Sequence, residues 1–386
     1  MSLIHDARYF TREEISDRAK KYEFPNPLAV EIFLWDCELT AQLQNVCEDV
    51  VLKGGAAVQL YLPLKKQRGS IDIDIRAPLK ECEVTDIVGK VHESIGKYGK
   101  LKLHRPKKPI PKLPLVTYYA KMPTVLDLRG RNELEVKIDI LLEKLDLPTV
   151  MLKNVQTFAV DVRNMKCLTV GALIGDKLLT LAKGSVGMKL GSDYPKQVYD
   201  IDALLGSAKI SDQTVSEMVA SVNRLTELEA GYRNIQVSSN EALRDVIATM
   251  DEYSLVDRVE VGGDPGIKKN IEGFQQFFIS RSQRSPLYGW SSKSLKIRFL
   301  ATLIKEHLEN GLSKSDVTEA IVQSEDIALK LDKVPGKAVI ELRKKLLNLA
   351  ETKIPYFKEM KGKPLDRVFW QIVTPRNLQD VESLVP

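Results

Sequence analysis

Apolar positions recur along the chain with two periods, one of helices and one of strands. Asn26-Pro27 reads as an N-cap followed by proline at the first helical position, and a largely buried helix is predicted from there to about residue 48. Val50-Val51-Leu52 is a short strand that runs into Gly54-Gly55, and a second helix is expected from Ala56 to just before Pro63. Between Ser70 and Ile75, Ile71, Ile73 and Ile75 alternate with Ser70, Asp72 and Asp74, the two-residue period of a strand. Leu134–Leu142 repeats that pattern, with Leu134, Val136, Ile138 and Ile140 on one face and Glu135, Lys137 and Asp139 on the other. Pro106, Pro109 and Pro111 argue against a regular element across Lys97–Lys112. Helices are predicted over Val170–Ala182 and Tyr194–Leu205, with a glycine-rich loop through Gly191 between them. From about residue 211 the chain reads as helical, clearest over Glu241–Met250, Ser294–Leu308 and Lys337–Ala350, with a turn at Val261–Gly266. There is no internal repeat and no low-complexity tract.

These elements predict three parts: a peripheral segment over residues 1–25, an α/β core over 26–210 with a mixed sheet flanked by helices, and a mainly α-helical region over 211–386. A chain that is 44% hydrophobic and 28% charged has the composition of a soluble globular protein, which excludes wholesale disorder. Its apolar stretches are broken by charge before the ~18 residues a membrane span needs. The opening MSLIHDARYFTREE has no apolar core of a signal peptide, so a cytoplasmic protein with no membrane partner is expected. The four cysteines (Cys37, Cys47, Cys82, Cys167) and four histidines (His5, His92, His104, His307) lack the spacing of a zinc site or a disulfide framework. Fifty-seven basic against 52 acidic residues leave +5, which permits a nucleic-acid partner without requiring one.

Charge clusters in one place. Lys97–Lys112 carries seven Lys/Arg and no acid, and Lys100, Lys102, Arg105, Lys107 and Lys108 are its candidate nucleic-acid contacts, with Tyr98, Tyr118 and Tyr119 placed to stack on bases. A flexible solubilising loop is the competing reading.

The most informative segment is Lys53-Gly54-Gly55 followed by Arg68-x-Ser70-x-Asp72-x-Asp74. Two glycines after a strand let backbone approach a ligand closely, and the free amides opening the next helix suit phosphate. Asp72 and Asp74 lie on one strand face, where two like charges repel unless a cation sits between them. Mg²⁺, or Mn²⁺ in its place, takes one or two carboxylates with phosphate oxygens and water, so the pattern suggests metal-bound nucleotide. Asp139 on a neighbouring strand would be the third carboxylate, and such a set can activate an attacking hydroxyl and stabilise leaving pyrophosphate. Taken singly, a Gly-Gly pair is a turn and an Asp-x-Asp on an edge strand is a solvated face. Their order along the chain is the specific signal.

That order resembles the signature of the AbiEii/AbiGii toxin family of nucleotidyltransferases, in the DNA polymerase β-like nucleotidyltransferase superfamily. The resemblance runs from Lys53-Gly54-Gly55-Ala56-Ala57 and Arg68-x-Ser70-x-Asp72-Ile73-Asp74 through Lys137-Ile138-Asp139-Ile140 and Gly175-Asp176-Lys177-Leu178-Leu179-Thr180-Leu181 to Lys196-Gln197-Val198-Tyr199-Asp200. It covers about residues 26–206. It implies that Asp72, Asp74 and Asp139 hold Mg²⁺ and that Lys53, Gly54, Gly55, Arg68 and Ser70 line the nucleotide. It also implies that Asp139 acts on the incoming hydroxyl, that Lys177 neutralises phosphate and that Asp200 orients Lys177 or the base. The loop between Gly-Gly and Asp-x-Asp is long, holding Lys65-Lys66-Gln67, and Gln197 stands where family members often carry an acid. The implied function is Mg²⁺-dependent transfer of a nucleotide from an NTP to an acceptor hydroxyl, with tRNA as an expected acceptor and an antitoxin as an expected partner. Two alternatives stay open: transfer of phosphoryl or nucleotidyl groups onto a protein, with Ser70 as a target, and an inactive nucleotide-binding regulator.

Overall fold

Local sequence sets the first helices. The Thr11 hydroxyl accepts from the Glu14 amide at 3.3 Å to open α1 (Arg12–Lys21). Asn26 Oδ1 accepts from the Leu28 amide at 3.0 Å to open α2 (Pro27–Val46), with proline at its first turn as expected. The computed structural model describes residues 3–96, 98–104, 113–128, 130–144, 146–258, 263–349, 360 and 362–385. The chain divides into two compact units: Met1–Leu173 with Gly231–Ile235 and Glu272–Arg284, and Ile174–Ala230 with Gln236–Ile271 and Ser285–Pro386.

The first unit is built on a seven-stranded mixed sheet. Its strands are β1 (Val51–Lys53), β2 (Asp72–Arg76), β3 (Lys100–His104), β4 (Leu115–Leu128), β5 (Arg131–Leu141), β6 (Thr149–Gln156) and β7 (Asp161–Leu168), in the order β3-β4-β5-β2-β1-β7-β6. β2 runs parallel to β5 and β1 parallel to β7, while the other pairs are antiparallel. The short helix α3 (Gly54–Gln59) follows β1, and α4 (Glu81–Ile95) follows β2. The apolar face of the sheet holds Leu52, Ile73, Ile75, Val136, Ile138 and Ile140, all buried. α2 is buried on most of its circumference, and Val84, Val88, Val91 and Ile95 form the buried stripe of α4. Within the first 25 residues, His5, Tyr9, Ile15 and Ala19 are buried, and His5 Nδ1 lies 2.7 Å from Glu38 Oε2.

The expectation of no regular element over Lys97–Lys112 is corrected for its first part. β3 pairs with β4 over Lys100–His104, half-burying Leu101 and Leu103 and exposing Lys100, Lys102 and His104. An edge strand tolerates that charge because one side of it meets water. Arg105, Lys107, Lys108, the three prolines and Lys97 lie outside the described residues. β4, β6 and β7 are further strands that the apolar pattern did not reveal. α3 starts at Gly54 rather than Ala56, and β2 at Asp72 rather than Ser70.

The second unit is helical, as expected for the region from about 211. It contains α6 (Tyr194–Leu205), α8 (Ser239–Tyr253), α10 (Leu287–Asn310), α11 (Lys314–Leu331), α12 (Gly336–Asn348), α13 (Leu365–Ile372) and α14 (Leu378–Leu384). It also takes most of α5 (Val170–Thr180) and α7 (Asp212–Arg233) and the first half of α9 (Pro265–Phe278). α10 packs against α8, and Trp290, Leu295, Ile297, Leu303 and Ile304 on it are fully buried. Gly311, at φ +74°, ends α10, and Ser313 with Asp316 forms the capping box that opens α11. The turn expected at Val261–Gly266 and the end of the helix expected over Lys337–Ala350 lie partly outside the described residues. Among the described residues no helix is long and apolar enough to cross a membrane.

Candidate active site

Strand register decides which polar residues meet. β2 and β5 are parallel with Asp74 directly opposite Asp139 and Asp72 opposite Lys137. β1 and β2 are antiparallel with Lys53 opposite Asp74. Residues in register share a sheet face, with neighbouring strands about 4.8 Å apart. Lys53, Asp74 and Asp139 therefore form one row, with Asp72 and Lys137 in the next.

Asp139 is held on both oxygens. Thr117 Oγ1 donates to Oδ1 at 2.6 Å, and Lys137 Nζ lies 2.5 Å from Oδ2. Burial works against the Lys137 ammonium. The hydrogen bond and charge of Asp139, then the charges of Asp72 and Asp74, outweigh it and raise the lysine's pKa. Lys137 is thus paired with Asp139 and held charged by the field of the three carboxylates.

The Gly-Gly corner is shaped by what packs on it. Gly54 has φ +68°, and a Cβ there would lie 2.0 Å from Asp74 Oδ2. A Cβ on Gly55 would lie 2.7 Å from Arg68 Nη2 and 3.3 Å from Ser70 Oγ. Gly54 therefore has to be glycine, whereas a side chain at 55 would require the end of Arg68 to shift, and the first carboxylate motif and the corner are one structure. The long loop between them is pinned. Gln59 Oε1 accepts from the Arg68 amide at 2.7 Å, Gln67 Nε2 donates to the Leu62 carbonyl at 2.8 Å, and the Gly69 amide donates to the Phe278 carbonyl at 2.8 Å. Arg68 is buried, donates to the Gly69 carbonyl at 2.6 Å and faces the Phe274 ring, so it braces this loop.

The carboxylates of the site also act on a buried residue that the sequence did not single out. Asp36, on α2, is 1% exposed, and neither of its carboxylate oxygens has a hydrogen-bond partner among the described residues. Burial first, and then the charges of Asp72 and Asp74, push its carboxyl well above the ordinary range. The signal was present in Phe33-Leu34-Trp35-Asp36-Cys37, an acid inside a run that reads as buried all round. Thr117 had no such signal, because its role depends on the β4–β5 register.

Lys177 and Asp200 come together within the second unit. Lys177 Nζ lies 2.7 Å from Asp200 Oδ2 and donates to Gln197 Oε1 at 2.9 Å, and the ion pair is buried. Lys177 is therefore no solvated helix residue, and Gln197 acts as a hydrogen-bond acceptor. Of the three tyrosines expected to stack on bases, Tyr118 is buried on the apolar face and Tyr98 sits near Trp35, with ring centroids 6.5 Å apart. Only Tyr119 shares a face with Lys102, which lies opposite it.

Among the described residues no three His, Cys, Asp or Glu side chains converge into a cage that could hold a metal ion. The donor set is nevertheless the kind Mg²⁺ or Mn²⁺ accepts. Asp72 and Asp74 are hard oxygen donors on one strand face, suited to an ion that completes its shell with phosphate oxygens and water.

The family model for the nucleotidyl transferase AbiEii toxin, of type IV toxin–antitoxin systems, matches residues 39–252. Among solved structures, an H. pylori protein assigned as a nucleotidyltransferase is similar at 17% identity and a TM-score of 0.40, over 73% of this chain and 96% of that one. An antigenic nucleotidyltransferase-like protein from Paracoccidioides brasiliensis is similar at 11% identity and a TM-score of 0.34, over 55% of this chain and 96% of that one. No match was found among curated proteins.

Proposed function

Since this chain belongs to the AbiEii family of nucleotidyltransferase toxins, we propose that it moves a nucleoside monophosphate from an NTP to an acceptor hydroxyl at the Asp72–Asp74–Asp139 site. The observation that supports this most is the register that sets Asp74 opposite Asp139, with the Gly54 corner closed against Asp74. In this reading Lys53, the Gly54-Gly55 backbone and Ser70 face the triphosphate. Asp72 and Asp74 would hold a divalent cation such as Mg²⁺ or Mn²⁺, which when bound would supply charge against the triphosphate and the leaving pyrophosphate. Thr117 and Lys137 fix the orientation of the Asp139 carboxylate, which takes the proton of the acceptor hydroxyl. The acceptor oxygen bonds to the α-phosphorus, the α–β bridging bond breaks, and pyrophosphate leaves with the electron pair.

The acceptor in this proposal is the 3′ end of tRNA, and the protein acts as the toxin of a pair whose antitoxin restrains it. The basic face of β3 supports an RNA acceptor. Transfer onto the chain's own Ser70 is the weaker reading, because this proposal uses that side chain to hold the triphosphate. Incubating the protein with Mg²⁺, each α-labelled NTP and total RNA tests the proposal. Label in a tRNA-sized band, absent with an Asp72→Ala/Asp74→Ala variant, is the expected result. Label on protein alone would overturn the choice of acceptor.

A further inference from the structure

The polar face of the sheet extends beyond the carboxylates. The row containing Lys53, Asp74 and Asp139 continues through Thr117 to His104. The next runs Asp72, Lys137, Tyr119, Lys102, and a third runs Glu135, Lys121, Lys100. Lys100, Lys102, His104 and Lys121 are exposed, Tyr119 is half-buried, and the His104 and Tyr119 rings meet edge to face at 5.1 Å between centroids. One continuous surface thus leads from a cationic edge strand, past an aromatic pair, to Asp139. β3 and β2 are separated by three strand spacings, about 14 Å in all.

Resting on the nucleotidyl-transfer reading above, we propose that this face of β3, β4 and β5 is the track that seats the single-stranded end of the nucleic-acid acceptor. Lys100, Lys102 and Lys121 hold its phosphates, and Tyr119 stacks on a base. The chemistry favours a nucleic-acid strand over an acidic protein. Phosphates match the lysines, a base offers a π-face to Tyr119, and the strand's terminal hydroxyl is what the Asp139 end of the row consumes. Glu135, opposite Lys121, weakens the third row, which leaves the Lys102–Tyr119 row as the principal path.

The test is binding of a labelled single-stranded RNA oligonucleotide by fluorescence anisotropy across a salt series, with NTP binding measured separately by thermal shift. Lys100→Ala/Lys102→Ala should weaken binding and flatten the log K against log salt slope by about 1.4, the value for two phosphate contacts on a single strand. Tyr119→Ala should weaken binding roughly 5- to 150-fold, as loss of one stacked base does, and Tyr119→Phe should restore it. NTP binding should be unchanged in all three, which also shows that each variant is folded. Oligonucleotide binding equal to wild type in the lysine and Tyr119→Ala variants would overturn the track. So would a wild-type protein that ignores RNA but binds an acidic antitoxin through Lys100 and Lys102. If the track variants lose RNA while wild type binds it but transfers no nucleotide to any RNA, the track stands and the nucleotidyl-transfer reading falls.

Discussion

Asp36 shows what one residue costs and what it reports. A buried carboxyl without a hydrogen bond is destabilised in its charged form by about 1–3 kcal/mol or more. Its pKa in the folded protein is raised by burial and by Asp72 and Asp74. In the unfolded chain it titrates near the ordinary value of about 3.9. The folded state therefore holds the proton more tightly. The resulting stability is fully present below the unfolded pKa and is lost as pH rises through the folded one. Asp36→Asn, neutral throughout, should raise stability at pH 8 relative to wild type and flatten its decline above about pH 4. Urea unfolding at several pH values checks this, and parallel pH profiles for the two proteins would contradict it. Asp72, Asp74 and Asp139 were legible in the sequence because alternation places them on a strand face. For Asp36 only the burial was legible, since helical spacing tells that a residue is buried without telling which charges act on it.

At the scale of elements, the turn from β1 into α3 is the strictest part of the site. Gly54→Ala meets both a left-handed φ and the Asp74 carboxylate. It should cost about 1–2 kcal/mol from backbone strain alone, and it should abolish nucleotide transfer by displacing Asp74. Thermal unfolding with a transfer assay reads both effects, and retained activity would show that Asp74 can move without loss. Strong periodicity made α2, β2 and β5 readable. β3 was hidden by the prolines that follow it, although Leu101 and Leu103 alternate with lysines. In β6 and β7 most outward residues are polar and few inward ones are large, so the two-residue period is faint until the hairpin pairs Leu152 with Met165. Register cannot be read from one strand, and register is what sets Asp139 beside Asp74 and Thr117 beside Asp139.

Across the whole molecule, the two units rely on different chemistry. Both bury charge on helices, as Asp36 and Glu38 on α2 show, but the first sets its carboxylate row on one sheet face while the second joins buried charges of α6, α10 and α11 into one ion-pair network. Asp202 on α6 accepts from Lys296 at 2.9 Å and pairs with Lys293 at 2.5 Å; Lys296 also pairs with Glu325 at 2.6 Å. Burial raises the Asp202 pKa, but the two lysines outweigh it and hold the carboxyl well below its usual range. Asp202→Ala would leave buried ammonium groups short of a partner and should cost about 3–5 kcal/mol. Trp290 and Trp370 report on this unit and Trp35 on the other. Denaturation followed by fluorescence should show the unit holding Trp290 and Trp370 melting earlier. An unchanged transition would mean the knot contributes little. The helical character of this region was readable from its spacing, but its ion-pair knot was not, because Asp202, Lys293 and Glu325 are far apart in sequence.

In the proposed reaction the carboxylate row performs nucleotidyl transfer, with Asp139 receiving the acceptor's proton. Single-turnover transfer of an α-labelled NTP to RNA, comparing wild type with Asp139→Asn at matched NTP occupancy, tests it most directly. NTP binding should persist in the variant while transfer falls by at least about 100-fold, the lower range for loss of a general base. Transfer at the wild-type rate with Asn at 139 would rule out Asp139 as the group that takes the proton.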